Sequence, residues 1–292
     1  MSNLSISFHG GSEATSINNV LAFTPTDDLT PILSPNSGGA MPALSELRGF
    51  FTDPTTGKLY VVNAFKDFSQ ILTFSAPSSS GSSYTFDGVF AGGKDSKLAH
   101  PFCAVLGADG YVYVSNQDPL SNQKTSAITC YEGPDSANPG KFKSVFGPGF
   151  FTLRGIATDG SNWYVAGAVD SKQPAAVWIC DSKGNPQSDP LPVHEPVHLL
   201  YDGSRYLYIG SEKDNAVYQY DTHEGGTSLD TFICTSTAVP IDHTAGLAIF
   251  NGYFYVASRK GMAINQYELA TPSTGSVYVS KLADSPEFIL FL

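Results

Sequence analysis

Runs in which apolar and polar residues alternate recur along the chain, and one type of run reads apolar, two variable positions, aromatic, polar. Its six copies are VLAFT at Val20–Thr24, ILTFS at Ile71–Ser75, ITCYE at Ile128–Glu132, VWICD at Val177–Asp181, VYQYD at Val217–Asp221 and INQYE at Ile264–Glu268. Successive copies are 40 to 57 residues apart, measured at their fourth positions. Self-similarity at such a period predicts a repeat protein.

Two further runs precede five of these copies, and a turn rich in Gly, Asp or Asn separates them. The run nearer the copy contains a tyrosine and reads KLYVVN at Lys58–Asn63, YVYVSN at Tyr111–Asn116, NWYVAG at Asn162–Gly167, YLYIGS at Tyr206–Ser211 and YFYVAS at Tyr253–Ser258. The upstream run reads LRGFFTD at Leu47–Asp53, PFCAVLG at Pro101–Gly107, LRGIATD at Leu153–Asp159, PVHLLYD at Pro196–Asp202 and AGLAIFN at Ala245–Asn251. β-Branched and aromatic residues flanking such turns predict antiparallel hairpins.

A weaker fourth run, for example YTFDGVF or FKSVF, ends the repeat. We therefore predict four antiparallel strands in each repeat. A four-stranded meander that buries both faces against its neighbours is a blade of a β-propeller. The C-terminal segment PEFILFL supplies an innermost strand, and LSISF and VLAFT supply second and third strands. We therefore predict an all-β, six-bladed propeller over residues 1–292, closed by pairing of N- and C-terminal strands in blade six, which 1–45 and 284–292 share.

The LRG-[IF]-[AF]-x-D motif of Leu47–Asp53 and Leu153–Asp159, followed by a turn and an LYV-like strand, resembles NHL repeats and gluconolactonase/regucalcin-like six-bladed propellers. The resemblance extends over nearly the whole chain at the level of the blade consensus. It implies the propeller fold. The signatures around the Glu, Asn and Asp of the regucalcin-type metal set are absent from this sequence.

Composition excludes several classes of function. The chain has 16 Lys and Arg against 27 Asp and Glu, a formal net charge of −11, whereas phosphate-backbone binding needs clustered basic residues. No apolar run approaches the roughly 18 residues of a spanning helix, so we expect no membrane partner. The N-terminus lacks the basic and apolar regions of a secretory signal, which predicts a cytoplasmic protein or one released without a classical signal peptide. The sequence leaves the oligomeric state open.

The residues that lead into the innermost strands are predicted to converge at one mouth of the central channel. Counting seven residues back from the turn Asp or its equivalent gives Glu46, His100, Thr152 and Glu195. With one bulged residue allowed, the same count gives His243 in blade five and Asp284 or Glu287 in blade six. Two or three residues deeper come Arg48, Arg154 and His198.

This uneven ring of His, Glu and Arg predicts one asymmetric binding site. The candidate catalytic residues are His100, His198, His243, Arg48 and Arg154, because imidazoles transfer protons near neutral pH and guanidinium groups stabilise negative charge. The candidate ligand-binding residues are Glu46, Glu195, Glu287, Asn63, Asn116 and Tyr164. A divalent metal ion held by His100, His243 and Glu195 is a further hypothesis.

Three interpretations stay open at this point. The first is an enzyme, a hydrolase or lyase, acting on a small polar, carboxylate- or carbonyl-bearing molecule. The second is a binding propeller without chemistry, either a lectin-like protein with a glycan ligand or a protein-interaction module. In the third, the same Arg, Glu and His residues form salt bridges that only tie the blades together. His9 and His223 lie in Gly-rich turns, where we expect them to face solvent.

Overall fold

A computed structural model describes residues 3–10, 16–23, 29–64, 69–77, 83–93, 96–121, 123–234, 237 and 239–292. All the regular elements in these ranges longer than one residue are β-strands, arranged in six sheets. No helix among the described residues is long and apolar enough to cross a membrane. Thr24, the last residue of the first predicted run, lies outside the described residues.

The strand bounds follow the predicted runs closely. The first eight strands are β1 (Leu4–Phe8), β2 (Leu21–Phe23), β3 (Leu29–Pro31), β4 (Leu33–Ser34), β5 (Leu47–Thr52), β6 (Leu59–Asn63), β7 (Gln70–Ser75) and β8 (Tyr84–Gly92). The next eight are β9 (Pro101–Leu106), β10 (Val112–Pro119), β11 (Ser126–Tyr131), β12 (Phe142–Phe150), β13 (Ile156–Thr158), β14 (Trp163–Gly167), β15 (Ala176–Cys180) and β16 (Pro196–Tyr201). The last eight are β17 (Tyr206–Ser211), β18 (Ala216–Asp221), β19 (Asp230–Ile233), β20 (Thr244–Phe250), β21 (Tyr253–Ser258), β22 (Ala263–Glu268), β23 (Thr271–Val279) and β24 (Pro286–Phe291).

The sheets are the six blades of a β-propeller, as predicted. Blades one to five follow chain order, with β5–β8, β9–β12, β13–β15, β16–β19 and β20–β23, and blade six has the order β24-β1-β2-β3. Two blades depart from four strands. The short β4 adds to blade one parallel to β8, so residues 33–34 belong to that blade and not to blade six. In blade three the fourth strand is reduced to isolated bridges from Val177 to Leu191 and from Cys180 to Pro186.

Blade six closes the ring. β24 pairs antiparallel with β1, with Ile6 opposite Ile289 and Leu4 opposite Phe291. Each innermost strand contacts the innermost strands of both neighbouring blades, and β24 lies between β20 and β5. The predicted closure by N- and C-terminal strands is confirmed.

Three of the six innermost segments carry glycine at the third position, namely Gly49, Gly155 and Gly246, and there the neighbouring strand approaches closely. A Cβ atom on Gly155 would lie 2.5 Å from the carbonyl oxygen of Val197, and one on Gly246 would lie 2.8 Å from the amide nitrogen of Ile289. Real side chains do not tolerate such distances, so glycine is required at both positions. The close approach brings the second residues of these strands together around the channel.

Deleting Pro286–Leu292 is expected to prevent folding. The deletion removes the buried Phe288 and Ile289 and leaves the edge of β1 unpaired, which exposes a template for aggregation. We expect circular dichroism to show no cooperative thermal transition and size-exclusion chromatography to show aggregates. Leu292→Ser, which keeps the backbone pairing of β24, is the control. A monomeric deletion variant with a cooperative transition would contradict ring closure as the condition for folding.

Candidate functional site at the channel mouth

The residue just before the innermost strand adopts a left-handed backbone in five blades. Their φ angles lie between 45° and 54°, although none of the residues is glycine. They are Glu46, His100, Thr152, Glu195 and His243. Non-glycine residues at such angles are uncommon and concentrate where function demands a particular backbone. We call this position the pre-strand residue; it was predicted by counting from the turns, but its conformation was not.

Backbone hydrogen bonds accompany the left-handed turn in four blades. In blade three the accepting carbonyl is that of Phe151, next to Thr152, and in blade six the accepting residue has no positive φ. In five blades the carbonyl of the pre-strand residue accepts a hydrogen bond from an amide at the end of the second strand or just after it. The donor–acceptor pairs are Ala64 to Glu46, Gln117 to His100, Glu212 to Glu195, Arg259 to His243 and, in blade six, His9 to Ser285. The pairing in blade six identifies Ser285 as its pre-strand residue, so the prediction of Asp284 or Glu287 at that position was wrong by one or two residues.

A cavity of about 480 Å³ lies at this mouth. It contains five of the predicted site residues, namely Glu46, Arg48, His100, Arg154 and Glu287. It is also lined by residues that were not predicted, namely His9, Gln117, Glu212 and Arg259. The volume lies in the range of small-molecule sites.

The buried carboxylate of Glu287 organises one side of the cavity. Arg48 Nη1 lies 2.9 Å from Oε1, and Arg259 Nε lies 3.4 Å from Oε2. Burial alone would raise the pKa of Glu287, but the two guanidinium groups and His9 outweigh it and hold the pKa well below its usual range. Arg259 Nη1 also lies 3.4 Å from Glu212 Oε1. Arg48 and Arg259 thus tie blades one, five and six together through Glu287, as the structural interpretation expected.

His9 was predicted to face solvent; its side chain is 39% exposed, but it also lines the mouth cavity. Its Nδ1 lies 2.7 Å from Arg48 Nη1, 2.8 Å from Arg259 Nη2 and 3.4 Å from Glu287 Oε2. It lines the mouth because it occupies the position after the second strand of blade six. His223 is exposed, as expected.

His100 stands on the wall formed by blades one and two. Its Nε2 lies 3.1 Å from Glu46 Oε2, and its Nδ1 lies 3.6 Å from Asp118 Oδ2. Glu46 also lies 3.7 Å from Arg48 Nη2. An imidazole between two carboxylates can accept or donate a proton at the cavity surface.

Arg154 differs from the other two arginines of the cavity. Its guanidinium lies 5.8 Å from the ring centroid of Phe102, and the described residues give it no hydrogen bond or ion pair. Burial, partly offset by Glu212 and Glu287, lowers the pKa of Arg154 from its ordinary value, yet a guanidinium stays protonated in proteins. The cavity thus presents one positive charge whose donors are unused.

Phe288 fills the centre of the propeller, where it contacts residues of three other blades. Its ring centroid lies 4.2 Å from that of His198 in blade four and 6.0 Å from that of Phe102 in blade two. A Cβ atom on Gly49 of blade one would lie 3.2 Å from Phe288 Cζ. Phe288 lines a separate cavity of about 240 Å³. This cavity and the mouth cavity share no lining residue.

His198 was predicted to act in the mouth, but it lies beside Phe288 and lines the second cavity. Its Nδ1 accepts a hydrogen bond of 2.7 Å from the backbone amide of Leu247 in the next blade. Burial lowers its pKa to about 4, with Glu287 opposing the shift. The imidazole is neutral and joins two blades, so its place in the fold is structural.

Glu195 and His243 do not join the mouth cavity. Glu195 lines a neighbouring cleft, and His243 Nδ1 lies 3.2 Å from Asp242 Oδ1. In the part of the chain that the structure describes, no group of three His, Cys, Asp or Glu side chains could hold a metal ion. The predicted set of His100, His243 and Glu195 is therefore not assembled: His100 lies against Glu46 and Asp118, His243 against Asp242, and Glu195 in the neighbouring cleft.

Asn63, Asn116 and Tyr164 were predicted to bind ligand, but all three are buried and satisfied within the protein. Asn63 accepts a hydrogen bond from the amide of Ser45, and Asn116 accepts one from the amide of Ala99. These bonds hold the segments just before the pre-strand residues. The hydroxyl of Tyr164 donates to the turn carboxylate of Asp159 at 2.6 Å, at the opposite end of β14 from the mouth.

The repeat contains the signal that would have found the missed residues. The position after the second strand holds Ala64, Gln117, Ala168, Glu212, Arg259 and His9 in the six blades. Small residues stand at two of these positions and polar residues at four. Aligning this position, as well as the pre-strand residue, would have placed Glu212, Arg259 and His9 at the mouth.

Comparisons with known proteins show the fold. No family model matches the chain, and no curated protein matches it. A chain in the crystal structure of a nidogen/laminin complex superposes with a TM-score of 0.69 at 12% identity, over 99% of this chain and 97% of that one. A chain from Bacteroides fragilis NCTC 9343, provisionally assigned as a 6-phosphogluconolactonase, gives 0.61 at 12% identity, over 100% and 98%. A catalytically inactive virginiamycin B lyase from Staphylococcus aureus, solved with quinupristin, gives 0.53 at 12% identity, over 84% and 76%. The six-bladed propeller suggested by the blade motif is confirmed.

The buried neutral His198 predicts acid sensitivity. Its pKa is near 6.5 when unfolded and about 4 when folded, so the unfolded chain binds a proton first as the pH falls. Stability from this residue is complete above pH 6.5 and is lost between pH 6.5 and 4. Between pH 7.5 and 5 we expect a loss of about 2 kcal/mol in the free energy of unfolding.

The measurement is urea unfolding of the wild type and His198→Asn at both pH values. The variant lacks the titrating group, so its loss over this range should be smaller than that of the wild type by about 2 kcal/mol. His223→Asn, at an exposed histidine, should keep the wild-type difference. Equal pH dependence in wild type and His198→Asn would refute the assignment of His198 as a buried neutral residue.

Proposed function

We propose that the channel mouth binds one small carboxylate ligand, with Arg154 as its anchor. The observation that supports this most directly is the guanidinium of Arg154, to which the described residues give no hydrogen bond or ion pair, whereas the other two arginines of the cavity pair with Glu287, Glu46 and Glu212. Guanidinium and carboxylate groups form charge-assisted, often bidentate hydrogen bonds. The lining of the mouth cavity holds three arginines and four carboxylates, so the proposed recognition of an anion depends on hydrogen bonds from the Arg154 guanidinium and not on a net positive charge of the cavity.

The inequality of the blades supports a single site. The second residues of the six innermost strands are Arg48, Phe102, Arg154, Val197, Ala245 and Glu287. Equivalent sites on every blade, as in a multivalent lectin, would need similar residues at equivalent positions. The mouth offers instead one asymmetric set of groups, so we expect a stoichiometry of one ligand per chain.

His100 gives this site the means for chemistry. With Glu46 at 3.1 Å, it could remove a proton from a bound ligand or from water, and the guanidinium groups would stabilise the negative charge that develops. Hydrolysis and elimination both need these two elements. The proposal therefore favours a hydrolase or lyase over a non-catalytic glycan-binding or protein-binding propeller.

Binding of propionate and propionamide tests the proposal. The two probes have nearly the same shape and differ in charge, so titration followed by backbone amide chemical shifts isolates the role of the carboxylate. Propionate should shift resonances of the mouth residues, and propionamide should bind at least about tenfold more weakly. Arg154→Gln should weaken propionate binding about 10- to 100-fold, as expected for hydrogen bonds between charged groups.

The matched control is Arg205→Gln, since Arg205 pairs with Asp221 away from the mouth. This variant should bind propionate like the wild type. Equal binding of propionate and propionamide, or unchanged binding by Arg154→Gln, would overturn Arg154 as the anchor. Shifts at equivalent positions of several blades would favour the lectin-like alternative.

A further inference from the structure

A second cleft adjoins the mouth cavity on the side of blades three and four. Its volume is about 670 Å³. It shares four lining residues with the mouth, namely Thr152, Arg154, Val197 and Glu212. The two spaces therefore meet at Arg154, and a molecule held by this guanidinium can extend into either one.

The inner walls of the cleft are apolar. Pro174 and Ala175 come from the segment between β14 and β15, and Pro196 and Val197 from the start of β16. Pro196 and Val197 are buried. The charged residues His194, Glu195 and Lys213 are exposed and stand at the rim. The cleft thus combines buried Pro196 and Val197 and the more exposed Pro174 and Ala175 with Arg154 at its inner end, where Glu212 pairs with Arg259.

The alternative directions from Arg154 are less suited to an apolar group. Phe288 fills the centre of the propeller. The opposite side of the mouth is occupied by charged groups, since Glu287 there binds both Arg48 and Arg259. The cleft between blades three and four is the apolar space that opens from the anchor.

We infer that the ligand is an amphipathic carboxylate, whose carboxylate binds Arg154 and whose apolar substituent lies in this cleft. The inference rests on the proposed function and adds the substrate class. Transfer of an aliphatic group from water to such walls contributes about 0.8 kcal/mol per buried CH₂, which is about a fourfold gain in affinity for each methylene. A cavity of this size accommodates a substituent of drug-like dimensions.

The test is a chain-length series of acetate, butyrate, hexanoate and octanoate, titrated below micellar concentrations and followed by backbone amide shifts. We expect the dissociation constant to fall about fourfold per added methylene while the chain lies in the cleft. New shifts should appear at residues 173–176 and 194–197 from butyrate onward.

Ala175→Trp fills the cleft from its surface segment and leaves Arg154 in place. This variant should bind acetate like the wild type and lose the gain with chain length. Ala137→Trp, at an exposed residue on blade two, is the matched control and should retain the gain.

The outcomes separate the two proposals. If all four carboxylates bind through Arg154 with the same affinity, the apolar cleft is not part of the site, although the anchor stands. If octanoate and octanamide bind the cleft equally and Arg154→Gln has no effect, the anchor fails and the amphipathic carboxylate fails with it. A chain-length gain that persists in Ala175→Trp would place the substituent elsewhere and overturn the inference.

Discussion

The pairing of β24 with β1 is the constraint on which the whole molecule depends. It joins chain segments that are some 280 residues apart, Phe8 with Pro286 and Ile6 with Ile289, and so converts a row of blades into a ring. The same pairing carries Glu287 and His9 to the mouth, where the carboxylate meets Arg48 and Arg259. Ring closure and site assembly are one event, because without β24 the arginines of blades one and five would have no buried counter-charge.

The architecture could be predicted because each blade can be recognised from its local sequence pattern. This pattern consists of a strand of alternating residues, a turn residue that tolerates tight geometry and a following strand that contains tyrosine. It can be recognised without knowledge of distant contacts. The number of repeats then predicted the number of blades. The strands at the two ends of the chain that lacked partners predicted that the termini close the ring. The fourth strand of blade three was beyond this reasoning, because backbone pairing at an exposed edge depends on loop paths that the residue pattern does not record.

The site could be predicted only in part, since a repeat fixes position along a strand and not the direction of a side chain. Glu46, Arg48, His100, Arg154 and Glu287 do line one cavity. His198 was placed with them although it stands one residue deeper than Val197, and the alternation along β16 takes it to the second cavity, beside Phe288. Asn63 and Asn116 have the chemistry of ligand groups, but their amides bind backbone. Arg259 and Glu212 were missed because the count began from one turn only.

The phenyl ring of Phe288 lies in the centre of the propeller, so the mouth cavity does not continue into an open tunnel along the axis. The mouth cavity and the cleft between blades three and four meet at Arg154, so a molecule can reach this guanidinium from either space. Water displaced by a bound molecule leaves through the same two spaces. Entry and exit of a ligand therefore depend on the rim formed by the loops of blades three and four.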